Sequence, residues 1–328
     1  MNSEIVLDMK DKRILRELFR NGRMAFSIVG KKIGLSKEVV HYRVNNLIKK
    51  GLLIGFNTIY DIKKIGWKIY LVYVKLKNVD NEKENQIINE LSNHPNVAWV
   101  IKCIGNYDLV LKFFVKDNFE LNSQLKELEK KFSYFDDFSI DFVDNELPIP
   151  VAYLYSPLKP YLLTLRNEDK IDMTKIDILI LELLSKNSRM QLSDISLRLK
   201  IPRDTIKYHL NKLEKSKVII TYRPSAWSGS KSMGYSWYLV LLRYKQIEKH
   251  TKSTLLSYLT TNLNIAYVYE LIGQNDLGFE IRLKTGDELN QILMEIRAIL
   301  GPDFKSHDLS LILKEYKYTY FTDCMKKR

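Results

Sequence analysis

The chain has 328 residues, 45% of them hydrophobic and 28% charged, with 13 glycines and 8 prolines, which excludes a disordered or fibrous protein and leaves room for several cores. No apolar run approaches the ~20 residues of a membrane span, the start MNSEIVLDMKDKR has no apolar signal core, and Cys103 and Cys324 are too few for a disulfide framework or a cysteine-rich zinc site. The net charge of +13 is concentrated in residues 1–60 and 171–233, while 61–170 and 234–328 are close to balanced; two separated basic blocks point to a polyanionic partner.

In chain order, MKDKRILRELFR places Ile14, Leu15 and Leu18 at helical spacing, and Phe26, Val29 and Ile33 mark a second helix. Gly34 and Leu35 turn the chain, and Ser36 caps a third helix, SKEVVHYRVNNLIKK, with Val40, Val44 and Leu47 on one face. Gly51 ends it, and LLIGFNTIY reads as strand. Helix, helix, short turn, helix and β-ribbon make a winged helix-turn-helix. KIYLVYVKL, NEKENQIINELSN, VAWVIKCIG, DLVLKFFVK, DNFELNSQLKELEKKF and FSIDFVD then read as strand, helix, strand, strand, helix and strand. That order is a ferredoxin-like βαββαβ sandwich.

The chain then repeats itself. Offset by 166, Asp11–Ile54 lies on Asp177–Ile220 with 13 of 44 residues identical, among them Asp11/Asp177, Arg23/Arg189 and Tyr42/Tyr208. Offset by 168, Gly66–Lys116 lies on Gly234–Lys284 with 14 of 51 identical. Chance gives about 3 in each window. Between the copies, Leu147–Arg166 holds four prolines and reads as a stiff connector. The fold class is α+β: two winged helix-turn-helix domains (1–60 and 171–233) and two ferredoxin-like βαββαβ sandwich domains (61–146 and 234–328) in tandem, with a linker over 147–170. The last strand of the second sandwich, in HDLSLILKEYKYTYF, reads as longer than its counterpart.

Leu7-Asp8, Asp11, Ile14-Leu15, Arg23, Leu35-Ser36, Val40, Arg43, Leu47, Gly51 and Ile54, followed by IGNYDL (Ile104–Leu109) and IGQNDL (Ile272–Leu277), resemble the leucine-responsive regulator (Lrp/AsnC) family. The resemblance covers about 5–145 and 170–320, and it departs in the second copy at Pro202, His209 and Lys217, which stand for Ser36, Arg43 and Gly51. It implies a transcriptional regulator of archaeal or bacterial style, cytoplasmic, with duplex DNA as partner. Family members usually carry one copy and pair their sandwich sheets across a dimer, so the two sandwiches here are expected to pack together as a pseudo-dimer. An amino-acid effector and self-association into higher assemblies are also implied.

The residues expected to face DNA are Ser36, Lys37, Glu38, His41, Tyr42, Arg43, Asn45 and Lys49 in the first copy and Arg203, Asp204, Lys207, Tyr208, Asn211, Lys212 and Lys215 in the second. The major groove admits one helix, its base edges are read by such side chains, and lysines neutralise phosphates. Because the two faces differ, notably His41 against Lys207, an asymmetric site is expected. Gly105, Asp108, Gly273 and Asp276 are the effector residues the resemblance implies; the alternative is that they only turn the chain between strands.

An enzyme finds little support. There is no GxGxxG, Walker, HExxH or GxSxG pattern, and the five histidines are scattered, so no catalytic residue, metal or cofactor is expected. The rival of similar architecture is the siroheme decarboxylase, with histidine- and tryptophan-rich signatures where this chain has AWVIKCIGNYDLVLKF and AYVYELIGQNDLGFEI, both without histidine. A protein- or RNA-binding adaptor is the third reading.

Overall fold

The computed structural model describes residues 5–77, 79–132, 134–156, 171–226 and 233–326, and the chain divides into two compact units. One gathers both helix-turn-helix copies with 152–233 and the C-terminal residues from Thr319; the other gathers both sandwiches, Lys68–Val151 and Gly234–Tyr318. The second half of the connector, including Pro157 and Pro160, lies outside the described residues.

In the first head, α1 (Met9–Arg20) begins at a capping box. The Asp8 carboxylate accepts from the Asp11 amide at 2.8 Å, and Asp11 returns the bond to the Asp8 amide. Helices α2 (Phe26–Ile33) and α3 (Lys37–Lys49) close over Ile14, Leu18, Val29, Val40, Val44 and Phe56. The apolar spacing of the sequence is therefore the inward face. The second head repeats this with α6 (Lys175–Lys186), α7 (Leu192–Leu199) and α8 (Arg203–Lys215), after a Thr174–Asp177 capping box. Each head supplies one strand after its third helix, β1 (Gly55–Tyr60) and β6 (Ile219–Ser225). Among the described residues the ribbon forms between the heads: β1 and β6 pair antiparallel with each other, not each with a second strand of its own copy.

In the other unit, each half follows the expected order. The first has β2 (Lys68–Leu76), α4 (Asn81–Asn93), β3 (Val97–Ile104), β4 (Leu109–Val115), α5 (Asn118–Lys131) and β5 (Phe135–Pro148). The second has β7 (Ser236–Tyr244), α9 (Lys249–Thr261), β8 (Ile265–Gly273), β9 (Leu277–Leu283), α10 (Gly286–Leu300) and β10 (Phe304–Tyr318). The strands close into one barrel, ordered β10-β3-β4-β2-β5-β8-β9-β7. The join is made by the two long last strands. β5 pairs with β2 and then with β8; β10 pairs with β7 and then with β3. Leu147 and Pro148, assigned to the connector from sequence, are the end of β5, opposite Val268 and Tyr267.

The helices cover the outside of the barrel. Val72, Val100, Leu109, Leu111 and Phe113 pack under Ile87, Leu91, Leu121 and Leu125, and the second half has an equivalent core. The alternate strand residues face inward, where the barrel carries charge as well as apolar bulk. The Lys112 side chain, 3% exposed, bonds Glu146 at 2.8 Å, and its ammonium lies 4.9 Å from the Tyr269 ring centre and 5.4 Å from that of Trp99. Tyr269 donates to Glu280, Trp99 Nε1 donates to Glu315 at 2.7 Å, and the Arg282 guanidinium lies over the Trp237 ring. By repeat position Lys112 corresponds to Glu280 and Phe114 to Arg282, so the two halves bring unlike residues to the shared interior.

Burial raises the Glu280 and Glu315 carboxyls, Glu315 well above the usual range, against the pull of Arg282 and Lys112. A carboxyl raised by folding keeps its proton after the unfolded chain has lost it, so its contribution falls as pH rises from the ordinary carboxyl range toward the folded value. Glu315→Gln, which keeps an acceptor for Trp99, should raise the melting temperature at pH 8 and leave it nearly unchanged at pH 4. Thermal melts at both pH values check this, and an equal change at both would contradict it.

Candidate nucleic-acid interface

α3 packs through Val40, Val44 and Leu47, and α8 through Ile206, His209, Leu210 and Leu213. The opposite faces are open. Lys37, Glu38, His41, Tyr42 and Lys49 are exposed on α3, and Arg203, Asp204, Lys207, Tyr208, Asn211 and Lys215 on α8. Tyr42 is 71% exposed and Tyr208 67%, unusual for tyrosines on a packed helix. Asn45 is half-buried, its amide 3.3 Å from the His41 ring.

Three residues of the expected set are held inside their own head. Ser36 Oγ accepts from the Val39 amide at 3.2 Å and caps α3. The Arg43 guanidinium bonds Asp8 at 2.7 Å and Asp11 at 2.8 Å, tying α3 to the start of α1. In the second head this clamp is rebuilt on one carboxylate: fully buried Asp177 takes His209 Nδ1 at 2.8 Å and Lys212 Nζ at 3.0 Å. The substitution of His209 for Arg43 is thus a rebuilt clamp. Pro202 provides no side-chain cap for α8.

A pair of residues that the sequence shows only as repeat matches locks the heads together. Arg23 Nη1 donates to the Ser188 carbonyl at 2.5 Å, and its guanidinium lies over the Tyr222 ring. Reciprocally, Arg189 donates to the carbonyls of Gly22 and, at 3.1 Å, Met24, with Phe26 and Phe56 beneath it. Thr58 and Tyr60 on β1 reach the Leu184 and Leu181 carbonyls of α6 at 2.8 and 2.6 Å. The identical pair Arg23/Arg189 was the signal in the sequence; the carbonyls they hold belong to the other copy.

The expected effector residues lie at two equivalent turns. The Asp108 carboxylate accepts from the Leu76 amide at 2.8 Å and from Lys75 at 3.1 Å; the Asp276 carboxylate accepts from the Tyr244 amide at 2.8 Å. Both therefore fasten a turn to the end of a strand in their own half. Gly105 and Gly273 sit against crossing strands, where an added Cβ would lie 2.6 Å from the Leu309 carbonyl oxygen or 2.7 Å from that of Ile140. The second turn is further filled by Asp141, fully buried, which takes the Asn275 amide at 3.0 Å and its side-chain nitrogen at 2.8 Å. Among the described residues no cluster of three or more His, Cys, Asp or Glu is arranged to hold a metal, and no helix is long and apolar enough to cross a membrane. Burial pushes the Cys103 thiol up to about 12, where it is a poor nucleophile.

The reciprocal arginines make a direct test of the locked heads. Arg189→Ala should destabilise the head unit by about 2–4 kcal/mol, two charge-assisted bonds to part-buried carbonyls being lost, and Arg189→Lys should recover less than half, since one ammonium cannot span both acceptors. Denaturant unfolding of the full chain reads this; a loss below about 0.5 kcal/mol would show the contact to be incidental.

Residues 7–48 match the AsnC-type helix-turn-helix domain, and residues 173–220 match a winged helix-turn-helix DNA-binding domain. The transcriptional regulator AzlB of Bacillus subtilis is 32% identical over 114 residues, 34% of this chain and 73% of that protein. The HTH-type transcriptional regulator Ptr1 of Methanocaldococcus jannaschii is 30% identical over 125 residues, 37% of this chain and 81% of that protein. Each match is about the length of one helix-turn-helix and sandwich copy. A crystal structure of the siroheme decarboxylase NirDL aligns over 96% of this chain and 94% of its own with a TM-score of 0.63 at 14% identity, a likeness of fold. The chain belongs to the Lrp/AsnC family of transcriptional regulators, as a tandem-duplicated single-chain member.

Proposed function

We propose that this chain is a duplex-DNA-binding regulator that presents two unlike recognition helices from one locked unit. The observation that carries the reading is the pair of open polar helix faces, each with an exposed tyrosine and flanking lysines, joined through Arg23, Arg189 and the β1–β6 pair. We assign base reading to His41, Tyr42 and Asn45 on α3 and to Lys207, Tyr208 and Asn211 on α8, and phosphate contact to Lys37, Lys49, Arg203 and Lys215. Arg43, Lys212 and Ser36 instead hold the helices in place, since their polar atoms are engaged within the heads. Glu38 and Asp204, acidic and exposed at the first turns, suit the helix dipole or a cytosine amino group.

The barrel interior favours a regulator over a decarboxylase of the same fold. Trp99, Tyr267, Tyr269 and Phe114 are almost wholly buried there, and Lys112 and Glu146 are spent on each other. The Asp108 and Asp276 carboxylates already hold the Leu76 and Tyr244 amides, so we read these turns as structural.

The test is a fluorescence titration of the full chain against sheared genomic duplex over a range of salt. The logarithm of affinity should fall linearly with the logarithm of salt, with a slope of about −0.9 for each phosphate neutralised and several phosphates engaged per head. Lys49→Glu with Lys50→Glu should weaken all sequences alike and flatten the slope. Salt-independent binding, or none, would contradict the reading.

A further inference from the structure

The two heads differ at the turns that bracket their third helices. In the first, the chain enters α3 through Gly34 (φ 73°) and leaves it through Gly51 (φ 73°), with nothing within 4 Å of an added Cβ at either. In the second, the equivalent residues are Lys200 (φ 56°) and Lys217 (φ 60°), the only non-glycine residues of positive φ among the described residues. Left-handed backbone is sterically costly for a side chain with a Cβ, and where glycine is absent asparagine or aspartate is the usual substitute. Lysine has no short polar group to bond locally and lower the cost. The second head nevertheless keeps the left-handed turn at both positions, Lys200 closing α7 with its amide on the Ser196 carbonyl and Lys217 following α8 with its amide on Glu214. Both side chains are exposed, and neither ammonium makes an ion pair among the described residues.

A cation at a helix C-terminus gains a little from the dipole, which offers a purely structural explanation for each lysine. It does not explain why the same two turns carry glycine in one head and lysine in the other. The recognition helix does. α8 has 13 residues and is about 20 Å long, and a helix seated in a major groove ~12 Å wide has a phosphate chain along each side, within reach of long side chains on the turns at its ends. The second head also lacks the cationic pair Lys31-Lys32 on its second helix, having Leu197 and Arg198 there, and Lys212 is held by Asp177.

The geometry points to Lys200 and Lys217 as a pair of phosphate grips of the second head, one at each end of α8, held at the expense of backbone strain. This rests on the DNA-binding reading and adds two contacts to it. Stability and binding then move in opposite directions. In the full chain, Lys200→Gly with Lys217→Gly should raise the melting temperature by roughly 2–4 °C per site, weaken all duplex sequences alike, and reduce the steepness of the salt slope by about 0.9 per lysine. Lys200→Gln with Lys217→Gln should lose the same binding without the thermal gain, and the Arg pair should keep the binding. A Gly pair that binds with the parent's affinity and slope, or that melts lower than the parent, would overturn the proposal while leaving the DNA-binding reading intact. A parent chain with no affinity for duplex DNA would overturn both.

Discussion

A strand edge left open presents a row of unpaired amides and carbonyls, each costly to bury without a partner. Among the described residues β1 has no second strand in its own head, and the ends of β5 and β10 run past the sheets of their own half. In every case the missing partner is supplied by the other copy. β6 pairs β1, β8 pairs the end of β5, and β3 pairs the end of β10, which closes the barrel and leaves it without an edge. Arg23 and Arg189 extend the same rule to loop carbonyls. Each unit is therefore complete only with both halves of the duplication, and the unlike recognition helices are held together as a consequence.

Covalent linkage frees paired positions to diverge. A symmetric dimer places the same residue on both sides of its axis, so a buried Glu280 would bring a second acid into the same interior. Here the equivalent position is Lys112, which lies over Trp99, Tyr267 and Tyr269 and neutralises Glu146. Arg43 and His209, Tyr107 and Asn275, Ser310 and Asp141 have separated in the same way, each pair filling equivalent space with different chemistry. The heads have diverged on their outward faces as well, where no packing constraint holds them together.

Much of this is legible in the residues alone. α1 and β2 coincide with the apolar periods of MKDKRILRELFR and KIYLVYVKL, and the offsets of 166 and 168 give the tandem order. These elements obey local rules, since their apolar face lies against their own half. What could not be read depends on partners distant in sequence, in the same copy or in the other. Leu147 and Pro148 look like the start of the connector, because they open a proline-rich run; the free edge of β8 makes them strand. Arg43 sits at a helix position that would suit DNA, and its diversion to Asp8 and Asp11 requires the fold of α1 onto α3. Asp108 and Asp276 could turn or bind from sequence, and their bonds to the Leu76 and Tyr244 amides appear only in the fold. Lys112 is a charge in the otherwise apolar LVLKFFV, and its partner Glu146 lies on the strand that leaves for the other half.

On the proposed function, two unlike helices in one locked unit read a sequence with a direction. The most direct measurement is selection of bound duplexes from a random pool by the purified full chain, sequenced after several rounds at moderate salt. A motif of two different half-sites in fixed order, about 10 bp or a multiple apart, is the outcome this structure predicts. A clean palindrome would show the heads to be equivalent, and a pool with no enrichment would contradict sequence reading by these helices altogether.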